Sequence, residues 1–240
     1  MILARRPLTE SVRRVVGTEE QIARRIEALL SRMRGLYDEL LEKYPSGDLR
    51  LAMIAAPGNI LRSYQLFFAM VVSTVTHESW WKQSFGPVAP NENDKDAIKN
   101  LDTTSRYSFF VFFLSHIEWS LRKLVTHLSP GACRYGGAEF KAIHDHVLTL
   151  LGLRQYIPLY DLCRTVRNCV HSNAIYVARN GVDAEIAWKG ATYVFRHMMP
   201  VDFMTYDMIL QLYDDLIDSL EAMLAHPMVA SNAFIEDRLA

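Results

Sequence analysis

The stretch Thr103–His127, TTSRYSFFVFFLSHIEWSLRKLVTH, decides how this chain folds. At about 100° per residue, Phe110, Phe113, Leu114, Ile117, Leu121 and Leu124 form one apolar stripe. Phe109, Phe112, His116 and Trp119 form a second stripe on the opposite side. A helix that is apolar on both sides is covered on both sides. This segment is therefore expected at the centre of a helical domain or at a subunit interface, with Asp102 as its candidate N-cap.

Working outward, residues 18–44 carry the clearest helical period. Ile22, Ile26, Leu29, Met33, Leu36 and Leu40 step by fours and threes, the spacing of a seam that packs on a neighbouring helix. Thr18 and Gln21 read as a capping box, and Pro45-Ser46-Gly47 ends the run. Pro57-Gly58-Asn59 reads as a break, with a buried helix over about 60–79 after it and a polar loop over Gly86–Asp96. Beyond the central helix, helices are expected over about Ala138–Leu153, from Pro158 through His171, and after Pro200. Residues 182–196 read as a hairpin turning at Lys189-Gly190. The fold class that follows is mainly α: a helical bundle with an N-terminal helical extension over 1–100 and one small β-hairpin inside a domain over 101–240.

Half of the 240 residues are apolar and the formal net charge is −1, so a large core is expected and no global basic excess marks a nucleic-acid binder. The charge is unevenly spread. Eight arginines lie within residues 1–34, and eight acids against one arginine within residues 201–240. Such asymmetry can orient an anion, pair two subunits, or belong to two solvated helix faces. Three cysteines, Cys133, Cys163 and Cys169, give no paired framework and suit a reduced, cytoplasmic setting. The longest apolar runs, Leu66–Val72 and Phe109–Leu114, are far shorter than the roughly 18–20 residues of a membrane span, so no membrane association is expected.

The candidate chemistry lies in Arg164–Tyr176, RTVRNCVHSNAIY. On a helix, Leu159, Leu162, Cys163, Val166 and Val170 share one face, and Tyr160, Arg164, Arg167, Asn168 and His171 share another. Two guanidiniums can grip a phosphate through forked hydrogen bonds, a histidine can move a proton near neutral pH, and Asn168 can orient either. These are the parts of a metal-free phosphodiester cleavage, and equally the parts of a solvated helix face. Glu118 stands four residues before Arg122. It can pair with Arg122 alone or reach Arg164 or Arg167 on the neighbouring helix. His144 and His146 point roughly 200° apart on a helix, and the sequence has neither CxxC nor HExxH, so neither a metal nor a cofactor is expected.

Arg164-x6-His171, enclosing Arg167-Asn168, resembles the R-x4–6-H signature of the HEPN superfamily (higher eukaryotes and prokaryotes nucleotide-binding). These are helical-bundle proteins, many of them metal-independent ribonucleases of toxin–antitoxin, CRISPR and phage-defence systems. Two alignments stay open. Arg164 and His171 have the spacing, with Thr165 in the polar position that follows the arginine; Arg167-Asn168 has the dipeptide, with three residues between Arg167 and His171. The run RNCVHSNAIY followed by WKGATYVF is also similar to bacterial proteins with an RNxxHNNG-like stretch and a G-x-x-Y-x-F hairpin. Here Ser172 and Ala174 replace the expected Asn and Gly, and Asn173 remains. FLSHIEWSLRKL resembles an earlier helix of the same superfamily, so the likeness spans about residues 103–226.

The resemblance implies a metal-independent endoribonuclease. His171 would be its acid/base, Arg164 and Arg167 would hold the phosphate, Asn168 and Asn173 would orient groups, and Glu118 and Tyr160 would support them. It also implies a homodimer and an RNA or antitoxin-like protein partner. The alternative is a non-catalytic module that binds a nucleotide, RNA or a protein through the same stripe.

Overall fold

The computed structural model describes residues 19–74, 77–86, 92–134 and 136–237. In chain order the helices are α1 (Glu19–Leu41), α2 (Leu49–Ser73), α3 (Glu78–Phe85), α4 (Glu92–Leu128), α5 (Phe140–Leu150) and α6 (Ile157–Val170). A hairpin of β1 (Ala184–Trp188) and β2 (Ala191–Phe195) follows, then α7 (Tyr206–Ala225) and the single turn α8 (Pro227–Ala230). The chain is thus mainly helical with one two-stranded antiparallel hairpin among the described residues.

Helix α4 is the axis of the bundle and touches α2, α5, α6 and α7. Phe110, Phe113, Leu114, Ile117, Leu121 and Leu124, its first stripe, are wholly buried. The second stripe is less covered than its composition suggests. Phe109 packs on Tyr64 and Phe67, with ring centroids 4.9 and 5.8 Å apart, whereas Phe112 remains 57 % exposed. The helix also starts earlier than expected. Asp102 is no cap but an interior residue, whose carboxylate pairs with Arg106 at 3.0 Å and accepts from the Tyr206 hydroxyl of α7.

The seam of α1 is buried against α2 and α7 as its period predicts, except Leu36, which is partly buried. The capping box at Thr18 lies outside the described residues. The break read at Pro57-Gly58 is corrected: α2 runs through both residues. A proline inside a helix costs a hydrogen bond and crowds the preceding turn. Here Met53, Ile54, Leu61 and Tyr64 are buried on either side of it, and that packing outweighs the local cost. Gly58 lies against Met33 of α1, 3.8 Å from where a Cβ would stand. The helix expected over 60–79 ends at Ser73, and part of the expected loop Gly86–Asp96 is the first turn of α4. The expected division at residue 100 falls inside α4, and α1 and α2 share one continuous apolar core with the later helices.

Among the described residues, part of the uneven charge is paired within the chain. Arg25 reaches Asp207 at 2.6 Å, and Arg32 reaches Asp214, Asp218 and Glu221 at 2.6–2.8 Å, so the basic helix lies on the acidic one. Arg5, Arg6, Arg13 and Arg14 lie outside the described residues. The segment after α7 is fixed differently. Fully buried Arg50 donates to Asp48 through Nε and Nη2, and through Nη1 to the carbonyls of Val229 and Asn232. This ties α8 and the residues after it across the start of α2. The hairpin turns through Lys189 and Gly190, both at positive φ, as a two-residue loop requires. Trp188 and Lys189 both donate to the buried Asp215 carboxylate, fastening the turn to α7.

Candidate functional site

Helix α6 is strongly amphipathic. Pro158 stands in its first turn, where the missing N–H costs nothing. Leu159, Leu162, Cys163 and Val166 are buried against α4, α5 and α7. That packing turns Arg164, Arg167 and Asn168 toward a cleft of about 920 Å³ between α6, the start of α5, segment 176–179 and β1. The volume lies at the upper end of the roughly 300–1,000 Å³ found for small-molecule sites.

Glu118 makes both contacts that the sequence left open. Its Oε1 accepts from Arg122 Nε at 3.1 Å and also pairs with Nη2, and its Oε2 pairs with Arg167 Nη1 across the helix interface. Arg122 is held further by the carbonyls of Gly136 and of Ala138, the latter at 2.8 Å. Gly136 sits at φ 81°, and a Cβ there would stand 3.0 Å from the Arg122 carbonyl, so this loop requires glycine. Arg167 also lies over the Phe140 ring, 5.8 Å from its centroid. Its Nε is buried without a partner, and the ion pair with Glu118 is its only polar contact among the described residues.

A second carboxylate organises the other end. Asp161, one turn before Arg164, accepts from Arg164 Nη2 at 3.1 Å and from Lys141 Nζ of α5 at 3.1 and 3.2 Å. Lys141 reaches Asp145 as well, at 3.0 Å. Behind this group lies His144, wholly buried, stacked on Tyr160 and edge-on to Phe140. Burial pushes its pKa down to about 4, so it is uncharged near neutrality. Its Nδ1 stands 3.2 Å from an Asp145 oxygen and its Nε2 3.9 Å from Asp161, and neither nitrogen makes a hydrogen bond.

Of the residues singled out in the sequence, Arg164, Arg167, Asn168 and Glu118 line the one cleft. His171 and Asn173 do not line it. Helix α6 closes at Val170, one residue before His171, whose exposed side chain makes no hydrogen bond or ion pair among the described residues. Asn173 is exposed at φ 55° in the turn that follows. Tyr160 is a correction. It is wholly buried and its hydroxyl lies 2.9 Å from Ser219 Oγ of α7, because α5 and α7 cover the first turns of α6 from both sides. Val170 is only partly buried, and Cys169 takes its place in the core. Burial raises the Cys169 thiol to about 11 and lifts Cys163 higher still, so both are inert packing residues.

Sequence reasoning missed Asp161, Lys141, Phe140, Tyr176 and the hairpin wall. The Asp161–Arg164 spacing was a visible signal. The link between Lys141 and Asp161, twenty residues apart, exists only once α5 folds back on α6. The cleft lining holds five cations, Arg122, Lys141, Arg164, Arg167 and Arg179, against Glu118, Glu139, Asp161 and Glu185. Among the described residues no three His, Cys, Asp or Glu side chains are grouped as a metal would require, and no helix is long and apolar enough to cross a membrane. No family model, curated protein or solved structure matches the chain.

Proposed function

We propose that the α6 wall of the cleft is a phosphate-binding site for RNA in a HEPN-like helical protein. One observation carries this reading. Arg164 and Arg167 open into the same cleft, each anchored by a single carboxylate and each with guanidinium hydrogens unused. Arg167, held from one side by Glu118, is pre-aimed, so little rotamer freedom is lost when a phosphate takes its open donors. Asn168 adds a neutral donor, and Tyr176 an aromatic side chain, to the same cleft. The small positive excess of the lining predicts modest, salt-sensitive affinity.

The test is fluorescence anisotropy with a labelled 2′-O-methyl oligoribonucleotide, which cannot be cleaved. Wild type is expected to bind at low salt, Arg164→Gln and Arg167→Gln to bind weakly, and Glu118→Gln to lose affinity while keeping its fold. Equal binding by wild type and both arginine variants would exclude the reading.

A second reading, metal-independent endoribonuclease, is favoured by His171. It is exposed, unpartnered among the described residues and four residues beyond Arg167. In such a reaction the RNA 2′-oxygen attacks phosphorus as a base takes its proton, the 5′-oxygen leaves as an acid protonates it, and arginine stabilises the phosphorane. Because His171 stands outside the cleft lining, this reading needs the imidazole of a second copy or a shift of the 171–174 turn. A homodimer, an antitoxin-like partner and a cytoplasmic setting belong to it. RNA cleavage that survives EDTA and disappears in His171→Ala is the expected result; cleavage retained by His171→Ala would eliminate it.

A further inference from the structure

This inference rests on the cleft being an anion site. We propose that Asp161 is a built-in competitor for the ligand, its carboxylate occupying the place a phosphate takes between Arg164 and Lys141, and that Lys141 of α5 is a direct anion-binding residue.

Three observations converge. Lys141 Nζ and Arg164 Nη2 meet on Asp161 from two different helices, all within 3.2 Å, and all three residues line the cleft. A carboxylate gripped by an ammonium and a guanidinium imitates the geometry of a bound phosphate oxygen pair. His144 does not share the load, since it is uncharged near neutrality and stands 3.9 Å from Asp161. The charge of Asp161 is therefore balanced by the two groups a ligand would use.

Glu118 makes the contrast. Its partner Arg122 is fixed at two carbonyls besides, so that pair has no freedom to open. Lys141 is on the surface of α5, 47 % exposed, with a second carboxylate, Asp145, to balance it. Asp161 has a short side chain, 22 % exposed, that can rotate into water. When it does, Arg164 and Lys141 face the cleft together and Arg167 stays in place on Glu118.

The consequence is unusual for a residue inside a binding cleft: removing its charge strengthens binding. With the same uncleavable oligoribonucleotide, Asp161→Asn is expected to bind about three- to tenfold more tightly than wild type, the scale of one charged hydrogen bond in a partly exposed site. Lys141→Met, a surface change, is expected to bind about three- to tenfold more weakly. It should also lower the slope of log Kd against log salt by about one, as loss of one phosphate contact requires. The double variant loses most of the gain of Asp161→Asn. Unchanged or weaker binding by Asp161→Asn, with its melting curve intact, overturns the proposal; so does a Lys141→Met variant with wild-type affinity and salt slope. If wild type binds through Arg167 while both variants are neutral, this inference alone fails. If wild type binds nothing, the phosphate-site reading fails with it.

Discussion

Arg32 on α1 and Arg50 at the start of α2 can be set beside Arg164 and Arg167 on α6. Arg32 spends Nε, Nη1 and Nη2 on Glu221, Asp214 and Asp218. Arg50 spends the same three nitrogens on Asp48 and the carbonyls of Val229 and Asn232, with its guanidinium 3.4 Å from the centre of the Tyr44 ring. Arg164 and Arg167 each give one amine nitrogen to one carboxylate, and both line the cleft. All four are arginines facing acids, so residue type and pairing do not separate the structural cations from the proposed phosphate-binding ones. What separates them is the hydrogen-bonding capacity left over. The backbone repeats the division: the six described non-glycine residues at positive φ all lie between Cys133 and Met198, in turns and loops on the cleft's half of the chain.

The largest effect is expected at the saturated end. Arg50→Met leaves the Asp48 carboxylate buried without its counter-charge, which costs about 3–5 kcal/mol. Urea unfolding measures it, and Asp48→Asn in the same chain should restore part of the loss. A change under about 1 kcal/mol would show that the strap across the start of α2 carries little of the fold.

His144, between the core and the cleft, comes next. A histidine buried in its neutral form lets the unfolded chain bind more protons than the folded one. Its contribution is complete above the unfolded pKa near 6.5 and is lost as pH falls toward about 4. The loss over that window is about 2–3 kcal/mol. Stability measured against pH should fall more steeply in wild type than in His144→Phe, and parallel curves would show that His144 is charged in the fold.

A smaller effect belongs to the turn after α6. The position where the bacterial pattern has glycine is Ala174, and it stands at φ 61°. Ala174→Gly should therefore stabilise by about 1 kcal/mol, since a Cβ is penalised in the left-handed region. An unchanged melting temperature would mean the turn relaxes at no cost.

How much of this was legible is clear from particular residues. The periods of α1 and the core of α4, the proline start of α6 and the hairpin with its Lys189-Gly190 turn follow from local pattern, and each is where the sequence puts it. Pro57 misled because local propensity is weaker than the burial of Met53, Ile54, Leu61 and Tyr64 around it. Tyr160 misled because a helical wheel assumes one exposed face, whereas α5 and α7 cover α6 from two sides. In the site, the α6 stripe and Glu118 were readable from spacing. The Asp161–Lys141 group and the β1 wall were not, since they join elements that meet only in the folded chain.

The most direct test of the central claim compares two single substitutions in one assay. Affinity for the 2′-O-methyl oligoribonucleotide is measured at low salt for Arg32→Gln and Arg167→Gln. Arg167→Gln should bind about tenfold or more weakly, the scale of a charged hydrogen bond, while Arg32→Gln binds as wild type does. Equal losses in the two variants, or a loss confined to Arg32→Gln, would contradict the account.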